Sequence, residues 1–119
     1  MANDFIRICT PDISNSSNST IYAVPAGASS AALESIVIGI TMANKTSSGV
    51  TASIFIDNED GSNDVFIVKD ASIPAGASLE VMSGNKLVLQ NDGSNGDNLE
   101  AICSAANSVD VTVSILQDV

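Results

Sequence analysis

Short runs along this chain alternate apolar and polar residues with a period of two, the spacing of a strand with one buried face. Val109, Val111, Val113 and Ile115 oppose Asp110, Thr112 and Ser114, and Val50, Ala52, Ile54 and Ile56 oppose Thr51, Ser53 and Asp57. Ile36, Ile38 and Ile40 are assigned to one face of a third strand. Further strands are expected at residues 20–24, 65–69, 79–82, 86–90 and 99–104, with Gly84-Asn85 closing a tight hairpin between residues 79–82 and 86–90. Ala31, Ala32 and Leu33 favour a helix near residues 30–35, but so short a segment does not nucleate alone and is read as loop. About eight or nine short strands between turn clusters predict an all-β fold, a two-layer antiparallel β-sandwich of jelly-roll or Ig-like type.

The length, 119 residues, suits one domain. Residues 14–20 are wholly polar and separate the apolar segment from Phe5 to Cys9 from the rest. Two readings stay open for residues 1–19: an N-terminal arm, or a first strand followed by a polar loop. Residues 20–119 form the sandwich domain in either case. One pentapeptide occurs twice, as Pro25-Ala26-Gly27-Ala28-Ser29 and as Pro74-Ala75-Gly76-Ala77-Ser78. Proline at the second position of a type I turn and glycine at the fourth would make each copy a chain reversal. Duplication and independent use of a good turn both explain the repeat.

Composition narrows the core and the partners. Hydrophobic residues make up 45% of the chain but include only three Phe, one Tyr and no Trp, so the expected core is thin and aliphatic. The formal net charge of −10 repels phosphate, which argues against nucleic acid and against an anionic membrane surface. No apolar run approaches the roughly 20 residues of a spanning helix. The sequence from Met1 to Arg7 lacks the apolar core of a secretory signal, so synthesis in a cytoplasm is expected. Cys9 and Cys103 are accordingly read as free thiols rather than a disulfide.

Candidate chemistry is sparse. The chain has no histidine, which removes the Ser/His/Asp, Cys/His and His-bearing zinc arrangements, and its cysteines lack CxxC spacing. Glu34, Glu80 and Glu100 offer carboxylates for a glycosidase pair, but solvated strand faces explain them better, and sugar platforms are scarce. Two acidic loops share Asp-Gly-Ser-Asn, at residues 58–64 and 91–98, yet neither follows the EF-hand order of ligands. A looser cation site built from Asp57, Asp60 and Asp64, or from Asp92 and Asp97, is the weaker reading; solvated loops are the stronger. The glycosylation-like triplets at Asn15, Asn18 and Asn44 follow from Ser/Asn-rich composition. No catalytic residue, cofactor or metal is assigned, and an enzyme is not expected.

Several stretches resemble small virion proteins of tailed bacteriophages, particularly those of marine cyanobacteria. They are Met1-Ala2-Asn3-Asp4-Phe5-Ile6-Arg7, Thr20-Ile21-Tyr22-Ala23-Val24-Pro25, the run from Ile36 to Asn44, the long central stretch from Lys69 to Gln90, and the close from Ser108 to Leu116. The family pattern ends in an aromatic residue, whereas Ile115-Leu116-Gln117-Asp118-Val119 does not, which implies an altered terminal contact. The resemblance implies a virion component comparable to capsid decoration or cement proteins, and it transfers no catalytic residue. The expected partners are the major capsid protein or other virion proteins, with self-association as a homo-oligomer, a trimer favoured, on the capsid surface. A neck, tail or fibre position is the alternative, and a receptor- or glycan-binding module the more distant one.

Overall fold

The computed structural model describes residues 3–57, 64–82 and 86–118. Among them are nine strands: β1 (Asn3–Thr10), β2 (Ser19–Ala23), β3 (Leu33–Asn44), β4 (Val50–Asp57), β5 (Asp64–Ile73), β6 (Ser78–Glu80), β7 (Leu87–Asn91), β8 (Asn98–Cys103) and β9 (Val109–Asp118). A five-stranded sheet has the order β1-β9-β3-β6, with β7 also on β3, and a four-stranded sheet has the order β2-β8-β4-β5. Every pairing is antiparallel.

That order is a rolled ribbon. β1 pairs with β9, β2 with β8, β3 with β6 and β7, and β4 with β5, so the two halves of the chain run side by side before the ribbon wraps into two layers. This connectivity is the double-sheet jelly roll, the first of the two sandwich types expected. The result is elongated, 47 × 27 × 21 Å. The Asn3–Thr10 segment belongs to the sandwich: it pairs with β9 along its length, and Ile6 and Ile8 pack on the core. The polar stretch after it is the connection to β2, where the Ser14 hydroxyl accepts the Ser16 and Ser17 N–H groups.

The core lies between the sheets and is aliphatic, as the composition requires. Val37, Ile40, Met42, Ile54, Leu89, Leu99, Val109, Val111, Val113 and Ile115 fill it, each side chain contributing about 1.5–3 kcal/mol on burial. Tyr22 is the one ring in this core, and none of the three Phe belongs to it. The Tyr22 hydroxyl reaches across to the other sheet and pairs with the Ser35 hydroxyl at 2.8 Å, so neither buried group is left without a partner. Burial raises the phenol's pKa above its ordinary value, against the lowering effect of the Ser35 and Gln117 hydrogen bonds.

Three expectations are corrected. A β-bulge between Val37 and Gly39 shifts the register of β3 against β9, so Leu33, Ser35 and Val37 point inward before it and Ile40, Met42 and Asn44 after it. Ile36 and Ile38 therefore face outward and do not share a face with Ile40. Second, β6 and β7 do not form a hairpin with each other; both run antiparallel to β3 along the same edge, as two pieces of one interrupted strand. The Val81 N–H bonds to the Ile40 carbonyl between them, and Gly84 and Asn85 lie outside the described residues. Third, the two pentapeptides differ. Around Pro74 the Ala77 N–H closes a turn on the Pro74 carbonyl with Gly76 third, at φ +67°, which places proline first. Around Pro25 the chain is extended at Gly27 and then turns through Ser29 and Ser30, at φ +58° and +60°, with the Ala31 N–H on the Ala28 carbonyl and the Gly27 N–H bonded to the Ala31 carbonyl. Both copies do carry the chain from the four-stranded to the five-stranded sheet.

Candidate functional site

At one end of the sandwich gather the β2–β3 connection and the loop between β7 and β8. The Val24 N–H bonds to the Asp97 carbonyl, the buried Asn91 side chain donates to the Val24 carbonyl at 2.8 Å, and a Cβ on Gly93 would meet the Ser30 carbonyl oxygen at 2.2 Å. Asp57 pairs with Asn98 and with Asp64 at this end. Two acidic side chains here, those of Asp92 and Asp97, fasten the loop between β7 and β8. The Asp92 carboxylate accepts the Ser94 and Asn95 N–H groups, both at 2.8 Å, and those bonds hold its pKa below the usual carboxylate value. The Asp97 carboxylate accepts the Gln90 N–H at 2.9 Å. Among the described residues no group of three or more His, Cys, Asp or Glu side chains is placed to hold a metal ion. Asp60 lies outside the described residues.

The opposite end is closed by Asn44. Its amide donates to the Ser48 and Ile73 carbonyls at 2.8 and 3.0 Å, while its carbonyl oxygen accepts the Thr46 N–H and hydroxyl. Beside it, Lys45 sits between Asp12 and Asp110, 2.9 Å from the Asp110 carboxylate. The Asp12 N–H, then Lys45, lower the pKa of Asp110, and the two carboxylates raise that of Lys45. These groups are half exposed, so the ion pair contributes little to stability. Cys103 is buried and Cys9 exposed, and they are not bridged.

Among the described residues, neither end assembles a nucleophile, base and electrophile. The outer faces of the sheets are where unused apolar surface lies. On the five-stranded sheet, Phe5 stands opposite Leu116, Leu116 opposite Ile36, and Ile36 opposite Val88. Four apolar side chains thus form a line across β1, β9, β3 and β7, with the bulge residue Ile38 beside it. Phe5 is 80% exposed, Val88 52% and Ile38 42%. On the four-stranded sheet, Phe55 faces outward yet is only 1% exposed, because Phe66 of β5 packs on it with ring centroids 5.0 Å apart, and the Lys69 ammonium lies 5.1 Å over the Phe66 ring.

Sequence reasoning missed this line. Its members are far apart along the chain, and only strand register aligns them. The alternating hydrophobicity of β3 carried a trace of it, because Ile36 and Ile38 are apolar on what proves to be the outer face.

The fold class is that of double-sheet jelly rolls. No protein-family model and no curated protein matches the chain. Among solved structures, one similar chain comes from work reporting that Bacillus endospore appendages form a novel family of disulfide-linked pili: 14% identity, TM-score 0.44, 98% of this chain and 85% of that one covered. Another comes from the structure of the Gx strain of infectious bursal disease virus: 13% identity, TM-score 0.46, 97% of this chain covered but only 32% of that one.

Proposed function

We propose that this chain is a structural protein of a phage particle, a decoration or cement protein that binds and stabilises the major capsid shell. The observation that carries the reading is the rolled-ribbon jelly roll, an architecture recurrent in viral capsid proteins. The carry-over from architecture to role is analogy, and the sequence resemblance to phage virion proteins adds to it. An apolar line on an otherwise acidic surface supplies an adhesive face, since contiguous exposed apolar patches mark interaction sites. The net charge of −10 would meet basic patches on a shell, steering encounter and register more than adding affinity. In this reading the protein is not an enzyme and uses no cofactor.

Co-sedimentation tests it. Purified protein should pellet with filled, expanded shells, in hundreds of copies per particle. A dozen copies or fewer would move it to the neck, tail or fibre, and failure to pellet at any ionic strength contradicts shell binding.

A further inference from the structure

We infer that the outer face of the five-stranded sheet is a self-association surface, on which a second copy of this chain packs face to face about a two-fold axis lying along the Phe5–Leu116–Ile36–Val88 line. The inference deepens the assembly reading by naming the self-contact, and it is tested on the isolated chain, so that its failure and a failure of shell binding are read separately.

Charged residues flank the line on both sides. Strand alternation puts Arg7, two residues beyond Phe5, on the same outer face, and Lys86 lies two residues before Val88. Because β1 and β7 run in opposite directions, both cations fall on the same side of the line. On the other side, Glu34 and Gln90 stand opposite each other in register, two residues before Ile36 and two after Val88, and both are exposed. Arg7 and Lys86 are two of the four basic residues in the chain and flank the line directly on this side, with the carboxylate of Glu80, opposite Thr41, farther out along the same face.

The axis follows from that polarity. A two-fold along the line lays apolar residues on apolar residues and exchanges the two sides, so that Lys86 of one copy approaches Glu34 of the other. Neighbouring strands are about 4.8 Å apart, within reach of a long side chain. A two-fold along the strands would instead set Arg7 over Lys86 of the second copy, like charge on like. An isologous contact repeats each pairing twice, which doubles the preference. A packing angle near the usual 30° between sheets keeps these correspondences at the centre.

Size agrees with a reversible contact. Four strands span about 19 Å, and the eight residues of β1 about 26 Å, giving about 500 Å² per copy. The total, about 1,000 Å², sits at the lower limit of specific interfaces, the range of weak and reversible contacts. This two-fold contact is distinct from the three-fold association favoured from sequence.

Sedimentation equilibrium of the full chain should show a concentration-dependent dimer of twice the 12.1 kDa monomer mass. Val88→Lys, at a half-exposed position that leaves folding intact, should weaken it at least about 30-fold by placing a charge on the line. Glu34→Lys and Lys86→Glu should each weaken it about tenfold, and the double variant, with the charges exchanged, should recover most of that loss. Circular dichroism confirms that each variant folds. A chain that stays monomeric throughout, an oligomer indifferent to Val88→Lys, or a double variant no better than either single variant overturns the inference.

Discussion

The outer face of the four-stranded sheet buries one phenylalanine beneath another that stays 43% exposed, whereas that of the five-stranded sheet leaves its phenylalanine, Phe5, 80% exposed. On the first, Phe55 is covered by Phe66, Lys69 caps the Phe66 ring, and the buried Ser53 hydroxyl accepts the Asp70 N–H at 2.8 Å. Two register shifts in the pairing of β4 with β5, with Asp70 at φ +51°, curl that edge strand and blunt it against further pairing. On the second, Val88 too is 52% exposed. The same aromatic residue therefore serves stability on one face and is free for association on the other. Exposure, not residue type, separates an internal contact from a surface awaiting a partner.

Substitutions should separate the two faces sharply. Phe55→Ala should cost about 3–5 kcal/mol in denaturant unfolding, because it empties a fully covered site. Ser53→Ala removes the acceptor of the Asp70 N–H and should cost about 0.5–1.5 kcal/mol in the same measurement. Lys69→Ala should cost about 0.5–1 kcal/mol through loss of the cation–ring contact. Val88→Ala, on the open face, should stay within about 0.5 kcal/mol of the parent while weakening association. A Val88→Ala chain as destabilised as Phe55→Ala would erase the distinction.

Acid should act on neither face first. The pKa of Asp110 is lowered in the folded protein, so its stabilising effect is present above the ordinary carboxylate value of 3.8 and is lost as pH falls through the folded-state value. Asp92 behaves alike. Both belong to loops or strand ends, so Asp110→Asn should flatten the dependence of stability on pH in that acid range, as read by unfolding curves at successive pH values.

Much of the fold is legible along the chain where a strand has no irregularity. In β9 the inward Val109, Val111, Val113 and Ile115 alternate without interruption, and the inward set of β4 is equally clear. In β3 the alternation breaks at the bulge, and a single inserted residue moves Ile40 to the opposite face from Ile36 and Ile38. Gly39 is the only local hint. The pentapeptides show the complementary limit: identical residues take two conformations although an Asn amide holds the carbonyl before each proline, Asn44 on Ile73 and Asn91 on Val24. The apolar line and its flanking charges are less legible still, since they exist only once four distant segments are set in register.

Hydroxyl-radical footprinting of the isolated chain at low and high concentration compares the two faces in one experiment. Oxidation of Phe5 should fall several-fold as copies associate, while that of Phe66 stays constant. Unchanged oxidation of Phe5 on association, or protection of Phe66 in its place, would contradict the account.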